Sequence, residues 1–254
     1  MSRATRTAVM AASGAIALSM WSAAANAQSN DPWRFSVTPY GWLSGLTGRV
    51  GVRRLETDVD LSPGDILKAL NFAAMLTGDA RKGHWVFGFD AIYASIGDAT
   101  VRAIRGDTGS LALTERETII QPVGGYLFGD VNWGVDVLVG FRYWNFSADL
   151  DVDPAIRPTG PHERSGSRNW VDATGGARGH FVYPPWHTRF VLGADGGGGG
   201  SHNTWQVYGS AGYNLSSIWT VGLGYRILGV NYDRDNVLND TRTKGFLLFG
   251  TYRF

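Results

Sequence analysis

The sequence predicts an all-β chain folded as a transmembrane, antiparallel, up-and-down β-barrel of about ten strands. Three observations carry this reading. Stretches of strict alternation recur along residues 33–254, the mark of strands with two unlike faces. Four short connections each deliver a tryptophan at or near the start of the next strand. Finally, 35 glycines accompany 13% aromatics, including ten Trp, a pairing that weakens helix interiors and suits closely packed, aromatic-faced strands.

The N-terminal segment stands apart. Arg3 and Arg6 precede an apolar run from Ala8 to Trp21, and Ala25-Asn26-Ala27 follows as a small-x-small cleavage pattern. Residues 1–27 are therefore expected to be a secretory leader, with the barrel over 28–254. The apolar run is shorter than the roughly 20 residues of a spanning helix. Lys plus Arg total 23 and Asp plus Glu 22, so the basic excess of a nucleic-acid binder is missing. A mean hydropathy of −0.11 is too polar for a bundle of spanning helices. With no cysteine, disulfide frameworks and thiolate metal sites are excluded, and nothing calls for a metal or a cofactor.

Strands are expected over about 33–43, 71–81, 85–96, 112–127, 133–147, 169–183, 188–197, 204–215, 219–232 and 244–254. The alternation is clearest in 133–144, where Trp133, Val135, Val137, Val139, Phe141 and Tyr143 oppose Gly134, Asp136, Leu138, Gly140 and Arg142. Eight strands is the alternative, if 188–197 and 204–215 are misread. The short turns are Lys82-Gly83-His84-Trp85, Asp130-Val131-Asn132-Trp133, Pro184-Pro185-Trp186 and Ser216-Ser217-Ile218-Trp219. Trp33, Trp85, Trp133, Trp186, Trp219, Tyr252 and Phe254 are thereby placed at one level, as a membrane interface favours. The connections on the other side, 44–70, 97–111, 149–167, 198–203 and 234–242, are longer. That asymmetry is the one outer-membrane barrels show, and an even strand count puts both termini on the periplasmic side. Within 44–70, Ser62-Pro63-Gly64-Asp65 marks a helix start, with Ile66, Leu67 and Leu70 at helical spacing. Such a helix would seal the barrel mouth or rest on the outer leaflet. A soluble sandwich shows similar alternation; the leader, the Trp at the short turns and the terminal Phe254 argue against it.

The last segment, Gly245-Phe246-Leu247-Leu248-Phe249-Gly250-Thr251-Tyr252-Arg253-Phe254, resembles the terminal strand of bacterial outer-membrane β-barrel proteins. Gly250 departs from the bulky apolar residue usual there. Trp33-Arg34-Phe35-Ser36-Val37-Thr38-Pro39-Tyr40, Ala80-Arg81-Lys82-Gly83-His84-Trp85 and Gly222-Leu223-Gly224-Tyr225-Arg226 resemble small proteobacterial barrels carrying the outer membrane protein beta-barrel domain. The resemblance implies a Gram-negative outer membrane, a lipid and lipopolysaccharide environment, and recognition of the Phe254 end by the barrel-assembly machinery. It implies nothing about activity.

With the apolar set outward, the other set faces a lumen. The inward acids are then Asp79, Asp90, Glu115, Glu117, Asp136, Asp172 and Asp195. The inward bases are Arg34, Arg81, Arg142, Arg178, Arg189, Arg226 and Arg253, with His180 besides. Balanced signs in a narrow barrel, with Leu138, Trp144, Phe146 and Tyr208 also inward, predict a lumen plugged by ion pairs. The expected protein is a non-enzymatic monomer with a structural or surface-interaction role. A narrow channel for small or apolar solutes is the second reading. An outer-rim hydrolase is the third, drawn from Ser201, His202 and Asp195, with His162 the other outer-loop histidine. Gly196 to Gly200 lack the Gly-Lys-Ser/Thr of a phosphate loop and read as close backbone contact at the rim. Asp149, Asp151 and Asp153, and Asp233, Asp235 and Asp240, read as solvated charge or as divalent-ion bridges to lipopolysaccharide phosphate.

Overall fold

The computed structural model describes residues 31–52, 55–103, 110–152 and 163–254. The leader predicted over 1–27, together with Asp153 and His162, lies outside the described residues. Asp31, Pro32 and Trp33 carry no regular structure and belong to a unit apart from Arg34–Phe254. In chain order the barrel comprises β1 (Arg34–Val52), β2 (Leu55–Leu61), α1 (Pro63–Ala69), β3 (Leu70–Lys82), β4 (Trp85–Ala103), β5 (Ser110–Gly129) and β6 (Trp133–Val152). There follow β7 (Glu163–Tyr183), a 3-10 turn (Pro184–Trp186), β8 (Thr188–Gly199), β9 (Asn203–Asn214), β10 (Trp219–Arg234) and β11 (Val237–Arg253).

Consecutive strands pair antiparallel from β3 to β11, and β11 returns to β1 over a register running from Ser36↔Arg253 to Val52↔Val237. Ten strands thus close the wall. Phe35 and Phe254 complete the seam, exchanging two backbone hydrogen bonds of 3.1 Å, with their rings stacked at 5.7 Å. The eleventh strand, β2, was not expected. β1 pairs β3 only over Arg34–Pro39; above that β2 folds back on β1, and Thr57 and Asp58 reach β4. β2 thus occupies the part of the wall that the shorter β3 leaves open.

Helix α1 begins where the sequence places it. Ser62 Oγ accepts from the Asp65 amide at 3.2 Å, and Asp65 Oδ2 accepts from the Ser62 amide at 3.1 Å, a reciprocal cap on two otherwise orphaned donors. The Ser62 hydroxyl, which donates to Asp65 Oδ2 at 2.6 Å, and the Ser62 amide hold the Asp65 carboxyl below the usual carboxylate range. Ile66 and Ala69 pack on the interior, while Leu67 points outward.

The outward face divides the strands into two zones. On β6, Trp133, Val135, Val137, Val139 and Phe141 are exposed. From Trp133 to Tyr143 the face spans the 9–11 residues a tilted strand needs to cross hydrocarbon. Beyond it the outward positions are Asn145, Ser147 and Asp149. β7 repeats the change from Val171 to Asn169 and Ser167, and β11 from Phe246 to Lys244 and Arg242. Inside, the order is reversed: Trp144, Phe146 and Ala148 are buried just where the outer face turns polar. The chain is apolar-out next to lipid and apolar-in above it.

That upper zone corrects the long loops expected on this side. Much of 44–70, 149–167 and 234–242 is strand, and β10 and β11 meet in a two-residue turn at Asp235 and Asn236, with φ of 54° and 63°. Asp149, Asp151, Asp240 and Arg242 make these stretches read as loop, but they project into water beyond the membrane. The inward residues beside them, including Val237 and Asn239, are buried. The walls here lean together: a Cβ on Gly166 of β7 would lie 2.8 Å from Val52 of β1 and 3.2 Å from Val237 of β11. Gly166 is the residue that permits this approach.

Candidate functional site: the lumen and its two ends

The upper lumen is filled. Trp144 stacks on Trp170 at 5.6 Å, and Trp170 on Tyr232 at 4.0 Å. Trp144 and Trp170 face each other on neighbouring strands, and the second contact spans the gap above the β8–β9 turn, whose backbone bonds to Val171 of β7 and Asn231 of β10. Around this stack Val50, Leu113, Ile119, Phe146, Leu228 and Val230 are each at most 4% exposed. This is a packed protein interior of the kind that excludes water.

Beneath it lies a layer of bonded charge. Arg142, fully buried, gives Nη2 to Asp195 at 2.6 Å and to Gln121 at 2.8 Å, and Nη1 to Thr204 at 2.6 Å. Gln206 Nε2 donates to Gln121 and Asp195. Arg226 gives Nη1 to Asp90 at 2.7 Å and to Tyr40 at 3.1 Å, and lies 5.1 Å from the Trp42 ring. Tyr40 in turn donates to the other oxygen of Asp90 at 2.7 Å. Lower still, Asp136 accepts from Arg81 in a two-point fork at 3.0 and 2.7 Å, and from Arg178 at 3.0 Å. Arg178 forks Asp79 at 3.3 and 2.6 Å.

Below the Arg142 and Arg226 layer a cavity of about 480 Å³ opens among the lower wall residues. It adjoins a second recess at the turns, and Val131, Arg189 and Arg253 line both. Both strand ends of the β1–β11 seam lie at this end, with the short turns, which makes it the periplasmic side. His180, in the cavity wall, is held through Nε2 by the Asp130 carbonyl at 2.9 Å. In that turn Asp130 accepts from the Asn132 and Trp133 amides, which hold its carboxyl below the ordinary range.

The fourteen charged residues predicted to face the lumen are not evenly paired. Arg81, Arg142, Arg178 and Arg226 meet Asp79, Asp90, Asp136 and Asp195 in ion pairs. The other six form no ion pair with described residues and separate along the axis. Glu115, Glu117 and Asp172 sit in the outer half; Glu115 is 6% exposed with Oε2 unpartnered. Arg34, Arg189 and Arg253 line the cavity at the periplasmic end. The plug is therefore an apolar core resting on ion pairs, and not the ion-pair filling that the charge balance suggested. The reason is register: β6 and β10 change their inward chemistry, after Arg142 and Arg226, at the height where lipid ends outside.

Trp85, Trp133, Trp186, Trp219 and Phe254 are exposed at the turn end, with Tyr252 half-buried between Trp219 and Phe254. Trp33 is exposed but precedes the barrel unit, so the others set that ring. Ser201, His202 and Asp195 are not assembled. Ser201, 2% exposed, donates Oγ to Asp172 at 2.9 Å and its amide to the same carboxylate at 2.7 Å, while Asp195 is held by Arg142. Asp172, which also accepts from Trp170 Nε1 at 3.1 Å, thus anchors the β8–β9 turn. Gly196 to Gly199 belong to β8, where a Cβ on Gly197 would strike the Ala173 carbonyl. Of the outer acids, Asp240 meets Arg49 at 3.3 Å and Asp235 meets Arg168 at 3.6 Å. Among the described residues no group of three or more metal-ligating side chains occurs.

A closed barrel with a continuous apolar belt, an aromatic ring at its turn end and a polar rim above defines a transmembrane β-barrel. The chain is an outer-membrane β-barrel protein. Solved structures similar to it include the outer membrane protease OmpT of Escherichia coli, 10% identical over 89% of this chain and 98% of that one, TM-score 0.48. The transport unit of the autotransporter AIDA-I from Escherichia coli is 11% identical over 90% and 92%, TM-score 0.45. Ail, the attachment invasion locus protein of Yersinia pestis, is 11% identical over 88% and 99%, TM-score 0.36. No protein-family model and no curated protein matches the chain.

Proposed function

We propose that this protein is a non-conducting barrel that carries a rigid strand extension above the outer leaflet, with a structural or surface-interaction role and no catalysis. The observation that supports it is the close-packed apolar core of the upper lumen, in which the Trp144–Trp170–Tyr232 stack meets side chains from β1, β5, β6 and β11. An ion would have to displace close-packed aromatic and aliphatic side chains there, with few polar groups to replace its hydration. The outer surface suits the role. Lys244 and Arg242 lie just above the apolar belt, where lipopolysaccharide phosphates would sit, and strands hold the polar rim in one shape. On this reading the barrel acts as a monomer, is assembled through its Phe254 end, and meets partners outside the cell with its rim.

Planar-bilayer recording tests it. Purified protein is expected to leave the membrane at baseline, with no steady conductance steps. Large, reproducible, voltage-stable channels would contradict the reading.

A further inference from the structure

The cavity in the lower lumen is a blind vestibule: ion pairs and the aromatic core close its outer end, and its mouth faces the periplasm. We propose that it is a binding site for a small periplasmic organic anion with an apolar body, held by Arg34, Arg189 and Arg253. The proposal goes beyond the sealed-barrel reading and concerns the opposite end of the molecule.

Every Asp bordering the vestibule is engaged by Arg81, Arg142, Arg178 or Arg226. Arg34, Arg189 and Arg253 have no acidic partner among the described residues, and for Arg253 the one bond is a 3.4 Å contact to Asn214. The β-ladder even sets Arg34 directly beside Arg81. Guanidinium groups that line one cavity without a carboxylate to neutralise them repel one another, and an anion received among them would relieve that repulsion. Guanidinium is also the side chain best shaped to fork a carboxylate or phosphate.

The volume, about 480 Å³, falls within the roughly 300–1,000 Å³ of small-molecule sites. Leu138, Val191 and Phe249 present apolar surface beyond the arginines. Gly222 makes room for it, since a Cβ there would strike the Phe249 ring. An anionic head at the mouth and an apolar body inside match both features. Arg189 and Arg253, which line the vestibule and the recess at the turns alike, stand on the path between the two.

Calorimetric titration of the full protein in phosphatidylcholine nanodiscs tests this, with empty nanodiscs subtracted. Octanoate is expected to bind saturably at one site per barrel and to weaken as salt rises. The Arg189→Gln/Arg253→Gln variant, shown to be folded by its heat-modifiable gel migration, is expected to bind at least ten-fold more weakly. Octanol should show partitioning only, and inorganic phosphate much weaker binding than octanoate. Octanoate heats no different from empty nanodiscs, or unchanged in the double variant, would overturn the proposal. Phosphate binding as tightly as octanoate would overturn the apolar part of it.

Discussion

Asp136→Ala is expected to destabilise the folded barrel by about 3–5 kcal/mol, because it leaves Arg81 without its counter-charge in the wall and takes one of two carboxylates from Arg178. Asp136 is fully buried and accepts three hydrogen bonds, two from Arg81 and one from Arg178. Asp79 can still hold Arg178, but among the described residues Arg81 has no other acid within ion-pair distance. Arg34 already stands beside Arg81, so the lost carboxylate also unmasks a like-charge contact. Urea unfolding in phosphatidylcholine vesicles measures the effect, with Asp149→Ala as the comparison. Asp149 projects outward above the belt, and its loss should cost no more than about 0.5 kcal/mol. Equal midpoints for the two variants would show that the lower ion-pair cluster contributes nothing to stability.

Trp170→Ala is expected to cost a similar amount, about 3–5 kcal/mol, by a different mechanism. Trp170 is the middle ring of the three-ring stack, and its Nε1 donates to Asp172, which holds the β8–β9 turn. Removal leaves a cavity between β7 and β10 and takes one donor from a buried carboxylate. Trp170→Phe separates these contributions. It keeps a ring in the stack and forfeits the hydrogen bond, worth roughly 1.5–3 kcal/mol for a charged acceptor. The same vesicle unfolding measurement should therefore rank native, Phe and Ala in that order. An alanine variant as stable as the native protein would mean that the upper lumen is not close-packed.

The wall was legible because lipid imposes a strict rule on it. In β6, β10 and β11 each outward position below the rim had to be apolar or small, so the alternation, the inward set and the short turns could be read directly. The upper zone was harder. Tyr143 and Trp144 are adjacent aromatics on opposite faces, one closing the lipid belt and the next opening the interior core. Ile227 and Leu228 on β10 repeat that step. Such a change of phase without a bulge is the signal that could have revealed strands continuing beyond the membrane. The strand β2 had no such signal, because its place depends on β3 being short. Nor could the charge segregation be read from a tally of seven and seven. The two groups of unpaired residues differ only in height, which comes from strand register. Only the ladder shows that Glu115 stands beside Ile96 and Ala148, and that Ser36, two residues from Arg34, stands beside Arg253.

The sealed outer half above a periplasm-facing vestibule is tested most directly by sided labelling. The chain has no cysteine, so a single one can be placed at will. Ser210 lines the vestibule, and Ser165 is exposed on the outer part of β7. With a small membrane-impermeant maleimide on intact cells, Ser165→Cys should react and Ser210→Cys should not. When the periplasmic side is opened to the reagent, Ser210→Cys should react as well. Labelling of Ser210→Cys from outside, at a rate near that of Ser165→Cys, would show that the lumen is continuous and would contradict the account.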